Sequence, residues 1–139
     1  MRYLLDTNVI SEPFKRSPES KVVDWLASQS PLDLCVSVLT LGELTMGFEL
    51  AAAGKRREEL QIWVTQDLPR RFVGRLLPVT DDIAREWGRL SAEGRLRGRE
   101  LPAVDGLLLA TASIEQLTFV TRNERDCSGR GIPTLNPWA

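Results

Sequence analysis

Three carboxylates in this 139-residue chain stand where a fold resists charge. Asp6 directly follows the apolar run Tyr3-Leu4-Leu5, the kind of place, beyond the carboxyl end of a strand, where open α/β sheets build their sites. Glu43 lies in the middle of Ser37-Val38-Leu39-Thr40-Leu41-Gly42-Glu43-Leu44-Thr45-Met46-Gly47-Phe48. Its helical neighbours at three and four residues are Leu39, Thr40, Met46 and Gly47, and the other faces carry Leu41, Leu44 and Phe48, so no side of this helix is expected to be plainly solvated. Asp105 interrupts Leu101-Pro102-Ala103-Val104-Asp105-Gly106-Leu107-Leu108-Leu109-Ala110 in the same way. A lone buried carboxylate is costly and tends to take up a proton. Each therefore calls for a metal, a cation or a cleft. Each also has a plainer reading: a turn or cap aspartate at Asp6, an exposed stripe at Glu43, and an acid placed for the helix dipole at Asp105. Three such acids together point to a site.

A fourth member is expected after the strand Leu117-Thr118-Phe119-Val120, in Thr121-Arg122-Asn123-Glu124-Arg125-Asp126-Cys127. Either Asn123 or Asp126 can close the cluster, through its own oxygen or through a bound water. Glu124 reads as part of a solvated turn.

Composition narrows the chemistry. The chain has no histidine, which removes Ser-His-Asp and Cys-His nucleophilic catalysis in their usual forms and His-ligated zinc. Cys35 and Cys127 lie far apart and match no metal spacing. Carboxylates are left as the actors, and oxygen-only ligands favour Mg²⁺ or Mn²⁺. The net charge of −1 says nothing for nucleic acid. However, of 18 cations only Lys15, Lys21 and Lys55 are lysine, and arginine holds phosphate in a planar fork. The bland explanation is genomic base composition. Basic residues gather between Arg70 and Arg99 and again at Arg122, Arg125 and Arg130, a pattern compatible with local phosphate contacts. No apolar run is long enough for a membrane span, the start does not read as a signal peptide, and a reduced, cytoplasmic protein is expected.

The elements that must hold these residues read as a single domain over residues 1–139. Arg2 to Leu5 reads as a buried strand, and Ser17-Pro18-Glu19 as the capped start of a helix with an apolar face of Val22, Val23, Trp25 and Leu26, ended by Pro31. Leu34 to Val36 is a second strand, leading into a helix from about Ser37 to Ala53 that Gly54 stops. Lys55 to Phe72 reads as a helix open to a break at Pro69. Leu76 to Val79 is a strand, Thr80 caps the next helix, and Gly94 to Glu100 is an arginine-rich loop. Pro102 opens an apolar helix to about Gln116, Leu117 to Thr121 is a strand, a polar turn follows, and Ile132 to Leu135 is a last strand. Strands that alternate with helices and read as continuous apolar runs predict a three-layer α/β/α sandwich with a central, mainly parallel sheet.

At these residues the sequence resembles the PIN-domain family, and within it the VapC-type ribonuclease toxins of toxin–antitoxin modules. The resemblance spans essentially the whole chain: Leu5-Asp6-Thr7-Asn8-Val9-Ile10-Ser11-Glu12, then Ser37 to Leu44, Pro102-Ala103-Val104-Asp105, Val120-Thr121-Arg122-Asn123 with Asp126, and Asn136-Pro137-Trp138. It implies an α/β/α fold, a Mg²⁺- or Mn²⁺-dependent endoribonuclease activity, and inhibition by a partner antitoxin. Asp6, Glu43 and Asp105 match the family's core acids. The fourth family acid falls between Thr121 and Asp126; some members carry Asp where this chain has Asn123, and Asp126 is the favoured candidate. Thr7 and Thr121 match hydroxyl positions near the metal. Arg122 and Arg125, with Asn123, are candidates for contacts to an RNA substrate, expected to be single-stranded or looped. Phe14, Trp25, Leu26 and Trp63 lie on early helices that a small core need not cover, and the resemblance implies that some of this surface receives an antitoxin segment and that two copies pair. A phosphotransferase with an aspartate nucleophile is disfavoured because Asn8 stands two residues after Asp6 and none of the lysines follows a predicted strand. A binding module that kept the fold and lost the chemistry is the remaining rival.

Overall fold

The computed structural model describes all 139 residues. Five short strands, β1 (Tyr3–Leu5), β2 (Leu34–Ser37), β3 (Leu76–Leu77), β4 (Thr118–Val120) and β5 (Thr134–Leu135), form one sheet in the order β3-β2-β1-β4-β5. Every neighbouring pair is parallel, with Tyr3 opposite both Leu34 and Thr118. β1 lies at the centre. The chain builds outward from it through β2 to β3, then returns to its other side with β4. This reversal leaves a crevice beyond the carboxyl ends of β1 and β4, the kind of switch point at which such sheets bind ligands.

Successive strand residues point to opposite faces, and the core divides accordingly. Leu4, Cys35 and Phe119 pack with Ile83, Leu90, Leu108, Leu109 and Ala112 on one face, under α6 (Asp81–Leu96) and α7 (Ala103–Glu115). Leu5, Val36 and Val120 pack on the other with Val9, Val22, Leu44, Phe48, Val64 and Phe72. That layer comprises α1 (Thr7–Ser11), α2 (Ser20–Ser28), α3 (Val38–Leu50), α4 (Lys55–Ile62) and α5 (Leu68–Arg71). The expected three-layer sandwich is present, with a sheet that is parallel throughout.

Several local expectations are corrected. The first helix after β1 is α1, continued by a 3-10 turn over Glu12–Phe14. α2 starts two residues later than Ser17-Pro18-Glu19 suggested, capped by Glu19, whose carboxylate accepts from Lys21 N. α3 ends at Leu50 rather than Ala53, and Gly54 (φ 152°) opens α4 instead. Pro69 breaks nothing. A widened π turn over Trp63–Asp67, with Leu68 N donating to Trp63 O, precedes it, and the chain runs on into α5; such a turn helps a helix pass a residue without an N–H. β3 stops at Leu77 rather than Val79, and β5 begins at Thr134 rather than Ile132. α6 runs through Gly94 to Leu96, so the arginine-rich loop is shorter than expected. The polar turn after β4 contains one helical turn, α8 (Glu124–Cys127).

Candidate active site

The residues beyond β1 and β4 meet through their side chains. Asp6 is 6% exposed and caps α1: its Oδ1 accepts from Thr7 N at 2.7 Å, and its Oδ2 accepts from Thr121 Oγ1 at 2.7 Å. The cap reading and the site reading of Asp6 thus hold together, one oxygen serving the helix and the other turned to β4. Thr121 is fully buried, and its Oγ1 also accepts from Asn123 N at 3.0 Å. Thr7 Oγ1 donates to Glu43 Oε1 at 2.5 Å and stands 3.4 Å from the hydroxyl of buried Thr40.

Glu43 is half-buried on α3. The helix is not enclosed as its sequence suggested: Gly42, Thr45, Met46 and Leu50 form an open face, with Met46 59% exposed. Glu43 nevertheless turns inward to Thr7. Asp105 is half-buried in the first turn of α7, where the helix dipole favours an anion.

The electrostatics tie these acids together. Burial pushes the Asp6 carboxyl from 3.8 up to about 6; the hydrogen bonds from Thr121 and Thr7 oppose this, and the charges of Asp105 and Glu43 add to it. Asp105 is also raised, first by burial and then by Glu43, with Asp126 adding to the rise and the Asn123 side chain opposing it. None of the groups that set either carboxyl is cationic. Both candidates for the fourth corner therefore bear on Asp105, Asn123 as a neutral donor and exposed Asp126 as a like charge.

Arg122 and Arg125 are exposed beside the cluster. Arg122 N lies 3.5 Å from Asn8 Oδ1, and its guanidinium sits 5.1 Å from the centre of the Trp138 ring. The larger basic groups are committed elsewhere. Arg75 donates to the carbonyls of Pro31, Leu34 and Arg71, and Arg89 pairs with Glu86 and Glu93. Thr40 and Asn8 were missed in the sequence. A buried threonine one helical turn before a glutamate is a common enough pair that only the fold reveals its contact.

Every donor in the cluster is oxygen, the set a hard divalent cation takes. As the side chains stand, no three of the acids already form a ligand set. A carboxylate offers about four lone-pair sites, so Asp6 can keep both hydrogen bonds and still face an ion. The repulsion that neighbouring acids exert on Asp6 and Asp105 is what such an ion relieves. The donor chemistry of Asp6, Glu43 and Asp105 therefore fits a divalent metal.

Comparison with known proteins places the fold among relatives. A sequence model of the PIN domain matches residues 3–127. The chain is 36% identical to Toxin FitB of Neisseria gonorrhoeae over 97% of both chains. It is 33% identical to VapC ribonuclease Y4jK of Sinorhizobium fredii over 97% of this chain and 96% of that one. The crystal structure of FitAcB from Neisseria gonorrhoeae superposes with a TM-score of 0.92 at 35% identity, covering 98% of each chain.

Proposed function

Because the chain belongs to the PIN-domain family, we propose that it is a metal-dependent endoribonuclease and the toxin of a toxin–antitoxin module. One observation carries the reading: at the sheet's switch point Asp6, just after β1, is raised by Asp105 on α7 and Glu43 on α3, Asp105 is raised by Glu43, and no cation is among the groups that set either carboxyl. The names of the relatives, a toxin and a ribonuclease, support it.

When bound by Asp6, Glu43 and Asp105, Mg²⁺ or Mn²⁺ supplies Lewis acidity to water and to the scissile phosphate. The protein's own groups provide the orientation. Thr121 and Thr7 N hold Asp6, the Thr7 hydroxyl holds Glu43, and the Asn123 side chain favours the charged form of Asp105. With no histidine in the chain, proton transfer from the attacking water falls to a carboxylate, and Asp126 at the exposed edge of the cluster takes that role. Arg122 and Arg125 contact phosphates on either side of the cleaved bond. Single-stranded RNA suits so compact a crevice.

The partner surfaces follow from the packing. A groove of about 290 Å³ begins at Thr7 and Glu43 and runs past Phe14 and Leu44 to Arg56 and Leu60. Phe14 stacks on Trp63 with ring centres 4.5 Å apart, so an antitoxin segment laid there meets an aromatic floor and reaches the acids. Trp25, 5.1 Å from the Tyr3 ring, and Leu26 are half-buried on α2 nearby. A second copy covers the outer face of α6, where Leu96 is 88% exposed beside Trp87. No helix is long and apolar enough to cross a membrane. The protein works as one unit over residues 1–139 in the reducing cytoplasm, where buried Cys35 and Cys127 stay unpaired.

The deciding experiment maps the 5′ ends of RNA cut by the purified chain with Mg²⁺ or Mn²⁺, alongside Asp6→Asn and Asp105→Asn. Cleavage is expected only in the wild type and only with metal. Cleavage that survives EDTA or both substitutions overturns the reading. Absence of acid-dependent Mn²⁺ binding in calorimetry would leave a binding module.

A further inference from the structure

We propose that Arg99 and Arg130 are positioning residues of this site, gripping the segment 125–128 from behind so that Asn123 and Asp126 are held at the edge of the acid cluster. The proposal rests on the reading of the acid cluster as the metal site. α8 is a single turn of four residues, too short to sustain itself, and a helix end leaves its last carbonyls without partners. The two arginines supply those partners. Arg99 Nη2 donates to Arg125 O at 3.3 Å, Asp126 O at 3.2 Å and Ser128 O at 3.2 Å, and its Nη1 also reaches Ser128 O at 3.2 Å. Arg130 donates to Asp126 O through Nε at 3.0 Å and through Nη2 at 2.9 Å.

The grip is anchored to the body of the fold. Arg99 N donates to Gly94 O at 2.7 Å, and Arg130 Nη2 donates to Arg99 O at 2.9 Å. Gly94 lies near the end of α6, and a Cβ there would stand 2.7 Å from Arg99 O and 3.3 Å from Arg130 Nη1. Only glycine admits this approach. At its front the segment is tied by Asn123 N to Thr121 Oγ1, the same hydroxyl that holds Asp6. Asn123 and Asp126 thus sit between two fixed points, one reaching Asp6 and the other α6.

A phosphate site is the obvious alternative for two adjacent arginines. Their observed side-chain bonds argue against it: all go to backbone carbonyls, and neither guanidinium pairs with a carboxylate. A planar fork reaches several carbonyls at once, which a lysine ammonium does not.

The test measures Mn²⁺ binding by calorimetry, RNA cleavage kinetics, and amide exchange at Ser128, whose N–H donates to Glu124 O at 2.8 Å. Arg99→Ala and Arg130→Ala are expected to weaken Mn²⁺ binding about 10- to 100-fold, the range for lost supporting contacts around a metal. They should lower kcat with KM for RNA unchanged, and should deprotect the Ser128 amide; Arg99→Lys should not rescue them. In an Asn123→Ala/Asp126→Asn background, Arg99→Ala should weaken Mn²⁺ binding no further, which general loosening of the fold would not reproduce. Wild-type Mn²⁺ affinity in both variants overturns the proposal. So does a raised KM with kcat unchanged, which marks a phosphate contact, and so does an equal further loss in the double background. If the wild type itself binds no Mn²⁺, the metal reading falls. Exchange at Ser128 then judges the grip alone, with unchanged protection in Arg99→Ala refuting it.

Discussion

Thr121 Oγ1 donates to Asp6 Oδ2 at 2.7 Å across 115 residues of sequence. The bond joins the ends of β1 and β4 where the order of the sheet reverses. The same hydroxyl oxygen also accepts from Asn123 N at 3.0 Å. One hydroxyl therefore fixes an acid on one strand and the start of α8 on another.

Replacing that hydroxyl by a methyl group tests the link. Thr121→Val keeps the shape but leaves buried Asp6 Oδ2 and Asn123 N without this partner. Urea unfolding should show a loss of about 1–3 kcal/mol, the usual cost of stranding buried polar groups. Thr121→Ser should recover most of it. Cleavage should fall with the valine and return with the serine.

The acid cluster makes the metal-free protein sensitive to pH. The Asp6 carboxyl moves from 3.8 to about 6 on folding, so between those values the folded state holds more protons than the unfolded state and stability falls as pH rises. Asp105 acts in the same direction. Two other acids oppose this at lower pH. Glu86 is held below its usual value first by Arg89, and Glu12, despite a burial that raises it, is brought below by Lys15 and Glu19 N; their contribution is lost as they protonate. In EDTA, stability should therefore fall as the pH rises from about 4.5 towards 6. At pH 7, Asp6→Asn should relieve up to about 3 kcal/mol of charge burial, from 1.36 kcal/mol per unit, offset by the Thr121 hydrogen bond that an amide nitrogen cannot accept. An equal slope in both proteins between pH 4 and 6 would contradict the burial of Asp6.

What the sequence made legible follows from where side chains must act alone. Asp6 could be placed because it follows a short apolar strand, and strand ends in a parallel sheet share one edge; Thr121 was placed by the family resemblance. Asp105 could be placed because α7 is apolar around it. Glu43 was singled out for an enclosure that α3 lacks: its Met46 and Leu50 lie open. Its inward turn comes from Thr7, a contact across 36 residues that no local pattern encodes. α1 and α8 were invisible because helices of five and four residues are below the length at which periodicity can be read. The role of Arg99 and Arg130 is not legible in the sequence because their partners are carbonyls, which every residue has and no residue type announces.

The acids themselves are tested by separating metal binding from cleavage. Asp105→Asn keeps the shape of α7 and removes a charge that repels Asp6 and Glu43. Mn²⁺ affinity should drop on the order of 10- to 100-fold, and RNA cleavage at saturating metal should drop at least as far. The metal-free protein should be no less stable than the wild type, since a like-charge neighbour has been removed. Loss of stability without loss of Mn²⁺ affinity would assign Asp105 to the helix dipole alone.

The seat of Asp105 depends on its neighbour. Gly106 is buried, and a Cβ there would stand 3.0 Å from Trp87 Cδ1 and 3.1 Å from Nε1. α6 and α7 thus meet closely at the residue after the acid. Alanine favours a helix over glycine by about 1 kcal/mol, yet overfilling a packed contact costs about 1–3 kcal/mol. Gly106→Ala should therefore be destabilising by about 1 kcal/mol on balance, with a change in tryptophan fluorescence as the indole shifts. Adding Trp87→Leu opens the space, and in that background alanine should stabilise the protein through its helix propensity. A destabilisation of the same size in both backgrounds would mean that the indole is not what Gly106 makes room for.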